Sequence, residues 1–380
     1  MKKIGDLFTQ SSGKALKKSN QIGTLHKYIT TSNLFWGRFD FSEVREMFFQ
    51  DSELEKCTAR NGDLLVCNGG DVGRAAVWNY DYDICLQNHI TRLRKKSDNV
   101  NPCYYQHFFR YIKTNNLING NGVGIESLSS KEILNMSVPY PSIEEQNRIV
   151  GIFDRIQSAI DNKKQQLSLL DEAVKSEFVE MFGENPVESG KWSIMKLNSI
   201  SDVRDGTHDS PTYYSEGYPF ITTKNLIDGT IDFSTASLIC KKDYEHFDKR
   251  SHVDDGDILM PMIGTIGGAI LVKKERDFAI KNVALIKPNA DNSNLDFNFL
   301  LYVLNSDFMF NHFNQFKTGG TQKFISLSFI RELPIPIPPL DLQNKFSAFV
   351  QQIDKSKFVV KQQISDLQEL LDSKMQEYFT

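Results

Sequence analysis

Cysteine is scarce and unpatterned in this sequence. Five residues, Cys57, Cys67, Cys85, Cys103 and Cys240, are spread over 380 positions without a C-x-x-C pair. That excludes a disulfide framework and a zinc ribbon and leaves buried free thiols as the expectation. Long apolar runs are missing as well: no stretch approaches the roughly 18 residues a membrane helix needs. The start, Met1 to Asp6, has no apolar signal segment, so the expected location is the cytoplasm, with no membrane partner. There is no excess of positive charge either. Lys and Arg number 44 against 48 Asp and Glu, a net charge of −4, so bulk charge does not bind a polyanion and only local clusters could. One such cluster is the first 27 residues, where Lys2, Lys3, Lys14, Lys17, Lys18 and Lys27 face only Asp6. It reads either as a solvated basic face or as a phosphate contact.

Catalytic signatures are absent too. The chain has no Asn-Pro-Pro-aromatic tetrapeptide, no G-x-x-x-x-G-K-[ST] loop and no H-E-x-x-H, and none of its seven histidines pairs with a cysteine at metal-ligand spacing. No catalytic residue and no metal ligand is therefore assigned. Asn68 to Gly73 resembles a phosphate-cradling loop, although glycines there mark tight turns more simply.

What is present is a long internal repeat. The length suggests two or three folded units, and 40% hydrophobic with 24% charged residues is a globular composition. Tyr28-Ile29-Thr30-Thr31-Ser32-Asn33-Leu34 returns as Phe220-Ile221-Thr222-Thr223-Lys224-Asn225-Leu226, with five of seven positions identical. Asn61-Gly62-Asp63-Leu64-Leu65 returns as Asp255-Gly256-Asp257-Ile258-Leu259, Gly70 and Gly73 as Gly264 and Gly267, and Gln87-Asn88 as Lys281-Asn282. Val138-Pro139-Tyr140-Pro141 matches Ile335-Pro336-Ile337-Pro338. A period near 195 residues is too long for a solenoid or propeller, whose units run about 20 to 50 residues, so the chain is a duplicated domain pair.

Each copy reads as α+β: short strands at Leu64 to Cys67, Ala75 to Trp78, Ile258 to Met260 and Ala269 to Val272, then a helix at Tyr104 to Ile112 or Phe297 to Leu304. The proline stretches are expected as extended exits. After each exit come about 40 residues without proline, Ile143 to Phe182 and Leu340 to Phe379. In the first, Ile149, Phe153, Ile156, Ile160, Leu167, Leu170, Val174 and Met181 step by threes and fours; in the second, Phe346, Val350, Ile353, Val360, Ile364, Leu367 and Leu371 do the same. That is the period of a coiled-coil seam, interrupted by Lys163 and Lys357, which could set register. Helices of this length, roughly 60 Å each, suit a spacer, and a pseudo-twofold duplication makes them antiparallel. The alternative is that they fold back as ordinary core helices.

With these residues in place, the sequence resembles the specificity (S) subunits of type I restriction-modification systems. The motifs that carry the resemblance are Asp205-Gly206-Thr207-His208-Asp209-Ser210-Pro211, the paired Ile-Thr-Thr-x-Asn-Leu runs and the Gly-Asp-(Leu/Ile)-Leu turns. To these are added Glu145-Gln146, Leu342-Gln343 and Phe182-Gly183-Glu184-Asn185-Pro186. The order covers essentially the whole chain: target recognition domain (1–142), central helix (143–183), linker (184–192), second recognition domain (193–339), terminal helix (340–380). The implied fold is α+β, two pseudo-symmetric globular target recognition domains joined by two long antiparallel coiled-coil helices. The resemblance implies a non-catalytic subunit in which each recognition domain reads one half of a split, asymmetric site on double-stranded DNA. The helices would act as a ruler and dock two modification (M) subunits, which methylate adenine with S-adenosylmethionine. Up to two restriction (R) subunits would add ATP- and Mg-dependent cleavage, and no cofactor would be bound by this chain. One departure is that Gln10-Ser11-Ser12-Gly13-Lys14 stands in the first copy where the second has the Asp-Gly-Thr-His segment.

Base edges and phosphates are contacted by small polar and cationic side chains. Candidates are Thr30, Thr31, Ser32 and Asn33, Thr222, Thr223, Lys224 and Asn225, and the loop Gly320, Thr321, Gln322 and Lys323. Arg74, Asn88, His89, Arg92, Arg94 and Lys95 in the first copy, with His208, Lys281 and Asn282 in the second, follow. The paired Thr-Thr-x-Asn-Leu runs read equally well as turn-stabilising. Residues that discriminate two half-sites should differ between copies, which favours Trp36, Arg38, Lys14 and Lys17 on one side and Tyr213, Tyr214 and Lys323 on the other. Two other classes stay open: a structural adaptor for protein partners, and a nuclease with unrecognised carboxylates.

Overall fold

The computed structural model describes residues 1–15, 22–118, 128–227, 229–263, 268–289, 294–315 and 324–380. It divides into two compact units, Met1–Gln166 with Val360–Thr380, and Leu167–Val359. Both long helices have the bounds expected from the sequence, Ile143–Phe182 and Leu340–Phe379, and each unit contains part of both.

In the first unit, strands Phe8–Ser12, Ile90–Lys95, Leu64–Cys67 and Ala75–Val77 lie side by side in one antiparallel sheet. A second sheet runs in the order Arg45–Phe49, Thr24–Ile29, Ile84–Leu86, Thr58–Ala59, and its inner pair is parallel, with Cys85 opposite Tyr28. All four residues of Leu64–Cys67 are buried because both faces of that strand are covered. Leu64 and Val66 face a core built with the helices, whereas Leu65 and Cys67 face a core shared with Ile29, Trp78 and Leu86. A run of four apolar residues is the sequence trace of this two-sided burial.

The second unit repeats the plan. Ser201–Asp205, Val283–Pro288, Ile258–Pro261 and Ile270–Leu271 form the antiparallel sheet, and Tyr218–Ile221 pairs parallel with Ala279–Ile280. Ile258 and Met260 face the helix-side core and Leu259 the other. The proline stretches are extended: Pro334–Ile337 pairs with Ser193–Lys196, and Ser137–Val138 with Lys2–Lys3. The domain helices are Pro102–Thr114, longer at both ends than the expected Tyr104 to Ile112, and Phe297–Leu304 as expected. Two polar helices, Asp51–Cys57 and Lys241–Ser251, were not legible from periodicity.

The seam residues are buried or half-buried within their own units. Ile149, Phe153, Ile156 and Ile160 pack with Leu371, Met375 and Phe379, flanked by Ile364 and Leu367. Val174, Phe178 and Phe182 pack with Phe346, flanked by Met181, Val350 and Ile353. Val360 is buried, and Leu167 and Leu170 are half-buried. In the second unit Phe178 meets Phe346 at 5.5 Å between ring centroids, and Asp171, seven residues back, meets Lys357, eleven residues on, at 2.6 Å, so the segments run antiparallel. In the first unit Phe153, near the start of the central helix, meets Phe379 at the end of the terminal helix, 5.8 Å between centroids. Lys163 donates to Gln166 at 3.3 Å, so both seam lysines are polar interruptions with named partners.

A fully buried glutamine stands at the fourth residue of each long helix. The Oε1 of Gln146 accepts from the Asn101 N–H (2.9 Å), and its Nε2 donates to the carbonyls of Asn99 (3.2 Å) and Pro141 (2.9 Å). Gln343 does the same with the Asp296 N–H (2.9 Å) and the carbonyls of Asn294 (3.0 Å) and Pro338 (2.8 Å). Asn101 and Asp296 in turn cap the two domain helices. Each glutamine thus ties a long helix, its proline exit and the start of a domain helix together. Replacing either by leucine leaves one N–H and two carbonyls buried without partners, each worth about 1–3 kcal/mol. Gln146→Leu is therefore expected to lower the unfolding free energy of the first unit by about 2 kcal/mol or more, and Gln343→Leu that of the second. Denaturant titrations that follow Trp36 and Trp78 separately from Trp192 would read the two; equal midpoints in variant and parent would refute the role.

Candidate nucleic-acid interface

The five cysteines are free thiols, three of them buried, and burial pushes the Cys67 thiol up to about 11. Among the described residues no group of three or more His, Cys, Asp or Glu side chains could hold a metal ion, and no helix is long and apolar enough to cross a membrane.

The shared Thr-Thr-x-Asn-Leu runs are turns. Asn33 is buried, its Oδ1 accepts from the Thr30 N–H (2.9 Å) and Oγ1 (3.1 Å), and its Nδ2 donates to the carbonyls of Asp40 (2.9 Å) and Glu43 (2.8 Å). Asn225 repeats this with the Thr222 N–H (2.9 Å), the Thr222 Oγ1 (3.0 Å) and the Thr235 hydroxyl (3.3 Å). Hydroxyl hydrogen bonds from Ser234 and then Thr235 hold the Asp232 carboxyl below its ordinary range at the foot of that turn. Thr30, Asn33 and Asn225 are buried and their polar groups satisfied inside the turn, so the turn-building reading holds for them. Ser32 and Lys224 are the exposed members, and Thr31, Thr222 and Thr223 are half-buried.

A second shared element joins the sheets. Gly13 and Gly206 each press against a strand carbonyl; a Cβ would stand 2.2 Å from the Leu86 oxygen and 2.3 Å from the Ile280 oxygen. Glycine is the residue that permits this approach. The next N–H groups, of Lys14 and Thr207, donate to the same carbonyls (2.8 and 3.1 Å), and the Lys14 and Thr207 carbonyls accept from Asn88 (3.0 Å) and Asn282 (3.2 Å). The first-copy segment that departs in sequence therefore has the same backbone plan as the second.

On that plan the side chains differ. Lys14, expected as a specificity cation, is buried: its Nζ donates to the Phe48 carbonyl (2.9 Å) and pairs with Glu53 at 2.5 Å, so it is structural. Arg92 is also buried, donating to the carbonyls of Glu55 and Thr58, with its pKa lowered by burial; Arg94 is held by Asp63 at 2.7 Å, with its pKa raised by that bond. Neither is a free phosphate ligand, and Lys95 pairs with Asp98 at 2.9 Å. Arg74 donates to the Thr31 carbonyl (2.6 Å), and its guanidinium stands 5.3 Å from the Phe35 ring centroid, with that of Arg38 at 4.7 Å. Trp36 is half-buried against the helix-side core and Arg38 is exposed. Asn88 and the exposed His89 line one cleft with Asn68, Ser129 and Ser130.

In the second unit the counterpart is a polar cluster in which an exposed His208 stands over a buried Asp205. His208 stands 2.7 Å from the Asn282 Oδ1 through Nδ1 and 3.1 Å from the Asp205 Oδ2 through Nε2. Arg250, from helix Lys241–Ser251, pairs with the other oxygen of Asp205. Lys281 donates to the Ser210 hydroxyl at 2.6 Å, and Tyr213 and Tyr214 are about half exposed beside it in sequence. Sequence reasoning did not find Arg250 or Asp205 as parts of this cluster, since 45 residues and a helix separate them. Lys17, Gly320, Thr321, Gln322 and Lys323, like the paired Gly264 and Gly267, lie outside the described residues.

The family model described as the type I restriction modification DNA specificity domain matches residues 1–172 and 189–369. The chain is 22% identical over 376 residues to the type I restriction enzyme MjaVIII specificity subunit of Methanocaldococcus jannaschii, covering 93% of this chain and 85% of that protein. It is 22% identical over 334 residues to the EcoBI specificity subunit of Escherichia coli, covering 80% and 69%. Among solved structures it resembles the type I S subunit from M. genitalium, with TM-score 0.58, 14% identity and coverage of 100% and 95%. A chain from a study of complex assembly and conformational transition of the type I R-M system gives TM-score 0.60, 17% identity and coverage of 99% and 96%.

The separation of turn builders from exposed residues is measurable. Asn33→Ala and Asn225→Ala are each expected to cost about 1–3 kcal/mol of stability, whereas Lys224→Ala and Arg38→Ala should stay within about 0.5 kcal/mol of the parent. Thermal unfolding of the four variants checks this, and a neutral Asn225→Ala would return the asparagine to the list of free readers.

Proposed function

The chain belongs to the type I restriction modification DNA specificity family, and from that premise we propose that each of its units reads one half of a bipartite, asymmetric site on double-stranded DNA. It is a specificity subunit with two target recognition domains. The observation that carries the finer reading is the pairing of one backbone plan with two different sets of exposed side chains. Ala15 stands where the second unit has His208, and Gln87 where it has Lys281. A reader duplicated for a single palindromic site would keep these positions alike.

Catalysis on this reading is the work of partners. M subunits would methylate adenine with S-adenosylmethionine, and R subunits would add ATP- and Mg-dependent cleavage. The helices would fix the distance between half-sites and dock the M subunits. Large apolar side chains off the seam support that docking: Phe358 is 71% exposed and Val359 53% in the second unit, alongside Leu169 at 55% and Val179 at 42%. A docked subunit would cover such side chains.

Exchange of residues 1–142 for another recognition domain tests the assignment. Mapping of methylated adenines in cells should show a split motif that disappears with this gene and that changes in one half only after the exchange. A motif that changes in both halves together would refute independent reading.

A further inference from the structure

The cluster around His208 carries a sharper statement, which rests on the half-site reading above. We propose that Asn282 reads a base edge in the second half-site and that His208 is its positioning residue, setting by its proton which end of the amide faces DNA.

Asn282 is placed by its backbone. It sits in the left-handed region, φ 54°, in the turn between Ala279–Ile280 and Val283–Pro288, and its N–H donates to the Thr207 carbonyl. Asparagine tolerates that conformation. Its side chain is therefore not needed to close the turn, unlike Asn33 and Asn225, and its contact is with the exposed imidazole of His208. In the first unit the position matching His208 is Ala15, and Asn88 is not in the left-handed region. The device belongs to one half only, as a residue that distinguishes half-sites must.

The charges around the imidazole are Asp205 at Nε2, Arg250 on the far oxygen of Asp205, Asp209 bonded to the neighbouring Thr207, and Lys281 next to Asn282. Asp205 accepts, so Nε2 carries a proton in either state. When Nδ1 is protonated as well, it donates to the Asn282 Oδ1, and the amide presents its NH2 outward, toward acceptors such as guanine O6 and N7 or thymine O4. When Nδ1 is bare, two lone pairs would oppose each other at 2.7 Å. The amide then turns, Nδ2 donates to Nδ1, and Oδ1 faces outward, toward the amino groups of cytosine or adenine.

The test measures binding of the full chain, assembled with its M subunits, to a library of half-site variants at about pH 5.5 and about pH 8. The parent should shift its preference at one base pair of the second half-site by several-fold, from acceptor-rich to amino-bearing edges as pH rises. His208→Ala should lose that pH dependence at the same base pair. Asn282→Gly, which preserves the left-handed turn, should lose on the order of 10-fold discrimination at that base pair alone. Asn282→Asp, an acceptor without donors, should favour the amino-bearing edges at both pH values. If Asn282→Gly keeps every preference, or the parent profile is the same at both pH values, the inference falls and the half-site reading stands. If the parent assembly binds without sequence preference, both fall.

Discussion

The geometry of each unit depends on a buried amide. Gln146 and Gln343 occupy the same turn of the two long helices, and each satisfies three backbone groups that the proline exits and domain-helix starts would otherwise leave bare. Proline removes donors from these exits, so neighbouring carbonyls must find a partner off the chain's own ladder. A glutamine offers two donors and an acceptor at one point and fixes three segments at once. A sheet seated on a helix in this way presents its loops in a set direction. That is the property a reader of a duplex requires, because base contacts have value only if the backbone approaches in register.

Much of this was legible in the sequence because it is written in periodicities. The two 40-residue helices follow from an apolar step of three and four without proline, and the strands Leu64–Cys67 and Ile258–Pro261 from short apolar runs beside Gly-Asp turns. The charged helices Asp51–Cys57 and Lys241–Ser251 bury only one and three residues, so they leave no stripe to find. The role of Lys14 was hidden for another reason. Its partner Glu53 is 39 residues away and the two meet only when the sheets form, so a lysine in a basic segment looked free when it was not. The Gly13–Gly206 match was obscured because a single glycine and its carbonyl contact persist while the flanking side chains change.

The two copies share what the backbone needs and differ where it needs nothing. Asn33 and Asn225, Gly13 and Gly206, and Gln146 and Gln343 recur because each satisfies buried backbone or permits its close approach. The ion pairs Arg94–Asp63 and Lys287–Asp257 recur with the cation changed, both aspartates being almost fully buried. Divergence concentrates at Ala15 and His208 and at Gln87 and Lys281, on a turn whose main-chain bonds are the same in both. A duplicated scaffold can change its reading at such positions without loss of stability, since surface substitutions away from caps and buried polar groups typically cost under about 0.5 kcal/mol.

The same accounting bears on how the chain meets a polyanion. Several cations that a sequence count would offer to phosphates are committed inside the units: Lys14 to Glu53, Arg92 to two carbonyls, Arg94 to Asp63, Arg74 to the Thr31 carbonyl, Lys287 to Asp254 and Asp257. Each serves a buried or half-buried acceptor and would expose an unpaired group if it left. The charge free to neutralise phosphates is therefore smaller than 44 Lys and Arg suggest, in a chain already at −4. Phosphate neutralisation supplies most non-specific affinity for duplex DNA. Each cation committed to a carbonyl or carboxylate inside its unit is one the chain cannot also offer to that sequence-independent term.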